Sequence, residues 1–322
     1  MNHSTHRGRR TFLAAVGATL AGAALPAWAK YQADQFRIGY QKSASTLVLL
    51  KAHGTLEKRL APLGVKVSWN EFTAGPQLLE GLNVGAIDFG YVGEAPPVFA
   101  QAAGADFVYT AYELPAPRAE GVVVAKNSPI KTVADLKGKK IAFNRGSDVH
   151  WFIVALLRKN GLDFGDIQPV YLAPADARAA LEQGSIDAWA IWDPFQAAAE
   201  LTLEARTIAN GEGGVAANRQ FYLGEQKFVA ANPAVVEALL ASIKEIDAWA
   251  KDNVDQAADE LSAAVGIPAP ILKLALSRQS WGAQAITAQV ASDQQKIADA
   301  FYGLGLIPKP IKIGEVVRGG GS

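Results

Sequence analysis

An α/β chain in two lobes, with a ligand cleft between them, is the fold class the order of elements predicts. Three observations lead there. Short apolar runs alternate with helical patterns through the first third of the chain. The alternation halts at the stiff connection Pro115-Ala116-Pro117 and then begins afresh. From 233 to 301 the pattern is almost purely helical. Alternating strands and helices predict a parallel sheet wrapped by helices. A chain of 322 residues is long enough for two such units.

The elements follow in order. Residues 36–40 read as a strand, 46–60 as a helix with Leu47, Leu50 and Leu56 among its apolar positions, and 65–69 as an alternating strand. A helix at 75–84, a strand at 87–92, a helix at 96–103 and a strand at 107–112 complete the first run. The second run reads strand 121–125, short helix 133–136, strand 140–143, helix 148–160, strand 170–172, helix 175–183, strand 186–191 and helix 194–201. A second crossing segment at 221–230 leads into amphipathic stretches around 235–249 and 288–302. Crossings near Glu120 and Arg219 therefore divide lobe I, 30–120 plus 220–318, from lobe II, 121–219. Such a pair of lobes places ligands at the carboxyl ends of its strands.

The ends stand outside this scheme. Arg9-Arg10 directly precede an uncharged, Ala- and Gly-rich run, 12–25, and Ala27-Trp28-Ala29 supplies a small-x-small cleavage site. That order predicts an export leader over 1–29, removed after passage by the twin-arginine route. The run is too short and too interrupted by glycine to predict a membrane span. Residues 319–322, Gly-Gly-Gly-Ser, have the composition of a flexible tail or tag remnant.

The leader holds three of the 31 basic residues and no acid, leaving 28 basic against 31 acidic residues, a net charge near −3. A mildly acidic surface without a basic excess speaks against nucleic acid as a partner. There is no cysteine, which removes thiol nucleophiles, Cys-type zinc sites and a lipidation site at the leader. The expectation is a protein free in the periplasm. Neither a G-x-S-x-G elbow, an H-E-x-x-H pair, a Walker loop nor a dinucleotide fingerprint is present. His53 and His150, the two histidines beyond the leader, fall in separate helices. No enzyme, cofactor or metal is expected.

Several stretches resemble the aliphatic sulfonate-binding proteins of ABC importers: 36–42 (FRIGYQK), 74–80 (AGPQLLE), 82–88 (LNVGAID), 96–106 (PPVFAQAAGAD), 127–138 (NSPIKTVADLKG), 174–180 (PADARAA) and 189–194 (WAIWDP). The resemblance runs over nearly the whole chain beyond the leader. It implies the two-lobe type II periplasmic binding-protein fold, closure on a small organic sulfonate, and delivery of that ligand by a monomer to an inner-membrane permease. The wider group binds taurine, nitrate or thiamine-related pyrimidines, and these remain alternatives.

A sulfonate is permanently ionised and offers only acceptors, so its site needs only donors. Helix first turns supply them as backbone N–H groups without intrahelical partners. Candidates at strand ends are Gln41, Ser45 and Thr46; then Thr73, Gly75 and Pro76; then Gly93 and Glu94; and, in the second lobe, Ser147, His150, Trp192 and Asp193. Tyr222, at the return crossing, is a further candidate. Ser, Thr, Asp and Gly-Pro also cap helices for purely structural reasons. The case rests on their convergence at one edge of each sheet, together with the resemblance. Glu94 would repel a sulfonate, and is expected to cap the next helix, to hold a Lys or Arg, or to accept from a ligand amine or hydroxyl. Trp189 and Trp192 point to opposite faces of one strand, Trp189 into the core and Trp192 toward the ligand's carbon portion.

Overall fold

The computed structural model describes Ala33–Val317; the expected leader at 1–29 and the expected tail at 319–322 lie outside these residues. The first sheet begins with β1 (Gln35–Tyr40), β2 (Lys66–Glu71), β3 (Phe89–Gly93) and β4 (Phe107–Glu113). The second contains β5 (Glu120–Val124), β6 (Lys140–Phe143), β7 (Gln168–Tyr171), β8 (Ala188–Trp192) and β9 (Arg206–Asn210). The chain then returns to the first sheet with β10 (Gln220–Glu225) and the two-residue β11 (Ala283–Gln284). Strand order is β11-β4-β10-β3-β1-β2 in one sheet and β7-β6-β8-β5-β9 in the other.

Neither sheet is purely parallel, which corrects the expectation drawn from alternation. β1 runs parallel to β2 and β3, but β10 lies antiparallel between β3 and β4. β6 runs parallel to β7 and β8, and β5 lies antiparallel between β8 and β9. Of the reversed strands, which include β11 (antiparallel to β4), β5 and β10 directly follow a crossing. Each of these two enters its sheet from the opposite end, a fact of connection that hydrophobic patterning does not carry.

Among the helices, α1 (Ser45–His53) and α2 (Thr55–Leu60) replace the single helix expected over 46–60. Gly54 separates them in the left-handed conformation (φ 61°), donating its N–H to the Lys51 carbonyl as a C-cap. α3 (Gly75–Asn83) and α4 (Ala95–Ala102) follow β2 and β3. α5 (Asp148–Lys159), α6 (Pro174–Glu182) and α7 (Phe195–Thr202) follow β6, β7 and β8. After β10 come α8 (Gln226–Ala231), α9 (Pro233–Asp252), α10 (Val254–Val265), α11 (Ala269–Leu276) and α12 (Ala288–Gly303). The C-terminal helices pack back on the first: α9 and α10 on α1, α9 on α2, and α12 on α4.

Period-two alternation sorts the second sheet into two cores. Val122, Val124, Ile141, Phe143, Ala188 and Ala190 face one side with Phe152 and Leu156 of α5. Val123, Ala142, Trp189 and Ile191 face the other with Leu181 of α6. Each sheet also carries one device at matching places. Asp88, before β3, accepts the Arg37 N–H of β1 at 2.8 Å, and Asp187, before β8, accepts the Lys140 N–H of β6 at 2.8 Å. A carboxylate thereby fastens the starts of two neighbouring parallel strands in each sheet.

The two crossings bond to each other. Ala116 donates its N–H to the Ala217 carbonyl (3.1 Å), Asn218 Nδ2 donates to the Ala116 carbonyl (2.9 Å), and Gly211 donates to the Pro117 carbonyl (2.8 Å). Only glycine fits at 211, because a Cβ would stand 2.7 Å from the Ala216 carbonyl and 2.8 Å from that of Pro117.

Trp189 is 1% exposed between α6 and α7. Trp189→Ala should cost about 3–5 kcal/mol. Urea unfolding with an unchanged midpoint would show that this core does not carry the second sheet.

Candidate functional site

A cavity of about 790 Å³, counting its open mouth, lies where the carboxyl ends of strands from both sheets meet. Ser45, Gly75 and Pro96 reach it from the starts of α1, α3 and α4. Ser147 and Asp148 reach it at the start of α5, and Asp193 and Pro194 just before α7. Local sequence explains these starts. Pro76 and Pro96 stand in first turns, where the missing N–H has no helical partner to lose. Ser147 has the extended backbone of an N-cap (φ −84°, ψ 176°). Four first turns facing one space bring there N–H groups that lack partners within their own helices, together with the positive ends of helix dipoles.

Side chains add donors and a wall. Gln41 donates one amide hydrogen to the Tyr91 carbonyl at 3.2 Å and keeps a second. Ser43 and Gln279 also line the space, and Gln279 Nε2 is buried without a partner among the described residues. Leu114, Trp192, Leu272 and Ala275 supply apolar surface. Trp192 meets Phe195 edge-on, 6.1 Å between ring centres. The arrangement suits an anionic head among N–H groups with a carbon tail against Trp192 and the leucines. Among the described residues no cluster of His, Cys, Asp and Glu is arranged to hold a metal.

Acids, not bases, line the cavity: Glu113, Asp148 and Asp193. Burial, followed by the neighbouring Asp247, raises Glu113 to about 8; its oxygens accept from the hydroxyls of Tyr222 and Tyr91. Burial raises Asp148 to about 6 against the hydrogen bonds it accepts. Asp148 nonetheless keeps some exposure on the cavity side, so solvent moderates that shift. Burial raises Asp193 to about 6 although Arg278 opposes the rise; Asp193 accepts the Ala197 N–H at 2.9 Å, and Arg278 bridges it to Glu200. At neutral pH Glu113 carries its proton, so the cavity is less negative than its composition suggests.

Of the residues singled out in the sequence, Gln41, Ser45, Gly75, Gly93, Ser147, Trp192 and Asp193 line this cavity. Six do not. Thr46 is buried beneath it, its hydroxyl donating to Asp247 at 2.7 Å. Tyr222 is buried behind Glu113. Thr73 is exposed, and Pro76 serves the first turn of α3. His150 is fully buried in an aromatic box, stacked on Phe99 and tilted against Phe143 and Phe301. Its Nδ1 accepts the Gly146 N–H, and burial, helped by Arg145, lowers it to about 4, so the ring is neutral. Glu94 takes none of the ligand-facing roles. Its Oε1 accepts the Arg219 N–H at 2.7 Å, and burial raises it to about 8. It holds the return crossing.

Sequence reasoning missed Glu113, Asn218, Gln220 and the edge contributed by Leu272, Ala275, Gln279 and Ser280. The first three adjoin the crossings, and proximity to 120 and 219 was the signal available for them. Nothing local marks the region after α11 as a cavity wall.

Glu94 and Glu113 stand near 8 against an ordinary value of 4.5. The folded chain therefore binds protons more tightly than the unfolded one. The stabilisation this confers is complete below about pH 4.5 and is lost as pH rises through about 8. The melting temperature should fall by at least ~3 °C between pH 5.5 and pH 9, and Glu113→Gln should flatten that slope. A melting temperature that rises over this range would contradict the assignment.

Comparison with known proteins places this geometry. The sequence profile of the NMT1/THI5-like family matches residues 62–257. An aliphatic sulfonates-binding protein of Escherichia coli (strain K12) is 48% identical over 281 residues, covering 87% of each chain. The alkanesulfonate-binding protein SsuA of Xanthomonas axonopodis pv. citri, solved bound to MOPS, superposes with a TM-score of 0.84 at 43% identity, covering 88% of this chain and 98% of that one. The periplasmic aliphatic sulphonate binding protein SsuA of Escherichia coli superposes with a TM-score of 0.81 at 47% identity, covering 88% and 91%. These relatives are solute-binding proteins and not enzymes, and they share the two-lobe α/β fold. With four helix starts converging on one cavity and a match along most of its length, the chain belongs to the NMT1/THI5-like family, among the aliphatic sulfonate-binding proteins.

Proposed function

We propose that the protein is the substrate-binding component of an ABC importer, which captures alkanesulfonates and related organosulfonates in the periplasm and delivers them to an inner-membrane permease for sulfur assimilation. The convergence of the first turns of α1, α3, α4 and α5 on a cavity with an apolar wall is the observation that carries this reading. The likeness to sulfonate-binding proteins supports it. Export by the twin-arginine leader at 1–29 is part of the proposal and rests on the sequence alone.

Gln41, Ser45, Gly75, Gly93, Ser147 and Trp192 are the ligand-binding residues in this reading, joined by Ser43 and Gln279. Gln41 and the first turns hold the sulfonate oxygens; Trp192 and Leu272 hold the carbon chain. Calorimetric titration of ligand-stripped protein, in buffers free of sulfonates, tests this. Ethanesulfonate or octanesulfonate should bind at micromolar Kd or tighter. Gln41→Ala should weaken that binding by about tenfold or more, as expected for loss of a hydrogen bond to a charged group. Heat from nitrate or a thiamine-related pyrimidine alone would move the ligand class and leave the importer role standing.

The lobes in this reading are 30–120 with 220–318, and 121–219, closing about the crossings near Glu120 and Arg219. A ligand that touches both lobes favours the closed form through its differential contacts. Small-angle scattering should show a smaller radius of gyration with saturating sulfonate, and superimposable profiles would rule closure out.

A further inference from the structure

The carboxylate of Asp148 occupies ground that an anionic ligand would contest. It is the first residue of α5, which follows a strand of the second sheet. One of its oxygens nonetheless accepts the Ala95 N–H at 3.2 Å, at the start of α4, which follows a strand of the first sheet. Its other oxygen accepts from Gln220 Nε2 on β10 at 3.1 Å. The same carboxylate lies against the α-carbon of Gly93, where a Cβ would stand 1.4 Å from Oδ2. Only glycine is compatible with that approach. Gly93, Asp148 and Gln220 all line the cavity. A first-turn N–H of α4, one of the four donor sets aimed at the cavity, is thus held by the chain's own anion.

The titratable groups facing Asp148 are acids, and no cation is among them. Glu94 stands at the N-cap of α4, Glu120 on β5 and Tyr91 on β3, and each is raised in part by Asp148. Both oxygens of Glu120 are buried without a hydrogen-bond partner among the described residues. From β10 comes the neutral Gln220, and from the crossing just before it the neutral Asn218. Arg219 between them directs its guanidinium to Asp293. On α5 itself His150 is neutral within its aromatic box. A sulfonate entering here brings a fixed negative charge to a carboxylate that no cation neutralises.

We propose that Asp148 enters the ligand complex as a neutral carboxylic acid: it takes one proton from solvent as a sulfonate binds and donates that O–H in a hydrogen bond to a sulfonate oxygen. This inference rests on the sulfonate reading above. The sulfonate stays ionised, and the proton is shared in a hydrogen bond without being transferred. Asp148 then sets affinity and couples it to pH. Its rise to about 6 in the free protein makes the protonation accessible near neutrality.

The test is calorimetric titration of the protein with ethanesulfonate between pH 5.5 and 7.5, where Glu94 and Glu113 keep most of their protons. Asp193, raised to about 6 on the same wall, also titrates there, and Asp193→Asn should keep the wild-type slope. Phosphate and imidazole buffers, which differ in heat of ionisation, count the protons exchanged. The expected result is uptake approaching one proton per ligand at pH 7.5, with Kd weakening about tenfold from pH 6.5 to 7.5. Asp148→Asn retains the shape and a donor, and should bind at pH 7.5 about as tightly as the wild type at pH 5.5, with neither slope nor uptake. Proton release on binding, a flat wild-type profile, or a slope that survives in Asp148→Asn overturns the inference while leaving the sulfonate reading intact. If the variant does not fold, the wild-type proton count and slope decide alone. Absence of binding by ethanesulfonate and longer sulfonates at every pH would defeat the sulfonate reading itself, and this inference with it.

Discussion

Backbone N–H groups at the first turns of α1, α3, α4 and α5 have no partners within their own helices, and the site depends on where they are aimed. Each of these helices follows a strand, so the strand's end fixes the helix start, and the sheets fix the strand ends. Apolar packing on both faces of the second sheet, from Trp189 on one side to Phe143 and Phe152 on the other, holds its ends in place. No lysine or arginine lines the cavity wall. In the proposed reading an anion there is held by peptide dipoles fixed in direction by the sheets.

If the cavity holds an anion as proposed, its three wall carboxyls are the chief electrostatic hazard, since no cation lines it. Burial deals with Glu113 by keeping it protonated among Tyr91, Tyr222 and Thr46. Arg278 deals with Asp193 by tying it to Glu200. Asp148 has no such partner and instead accepts from the same donors that face the ligand. Glu94 is turned away from the cavity altogether, and its bond to the Arg219 N–H makes it part of the crossing.

Much of the fold was legible because it depends on local periodicity. The strand at 140–143 falls on β6, and most other elements fall within two residues of the expected bounds. The antiparallel placement of β5 and β10 was not legible, since strand direction depends on how the chain returns between sheets. The break at Gly54 was readable only in the glycine itself, inside an otherwise continuous helical pattern. Along the cavity, wall residues that follow a strand were recoverable, as Gln41, Gly75 and Ser147 show. His150 misled because a polar ring near a helix start says nothing about which way it turns; Phe99, Phe143 and Phe301, distant in sequence, enclose it. Gln279 could not be found because its place on the wall is set by how α11 meets α7.

The paired aspartates before β3 and β8 bear on the thermodynamics of recognition. Asp88 locks the start of β3 to that of β1, and Asp187 the start of β8 to that of β6, through contacts made wholly within one sheet. The strand starts that lead toward the cavity are thus registered within each sheet. If the lobes close on a ligand as proposed, less of the ordering cost of binding then falls on these strands. Affinity in the proposed reading can be tuned through the crossings, whose residues Ala116, Ala119 and Asn218 also border the cavity.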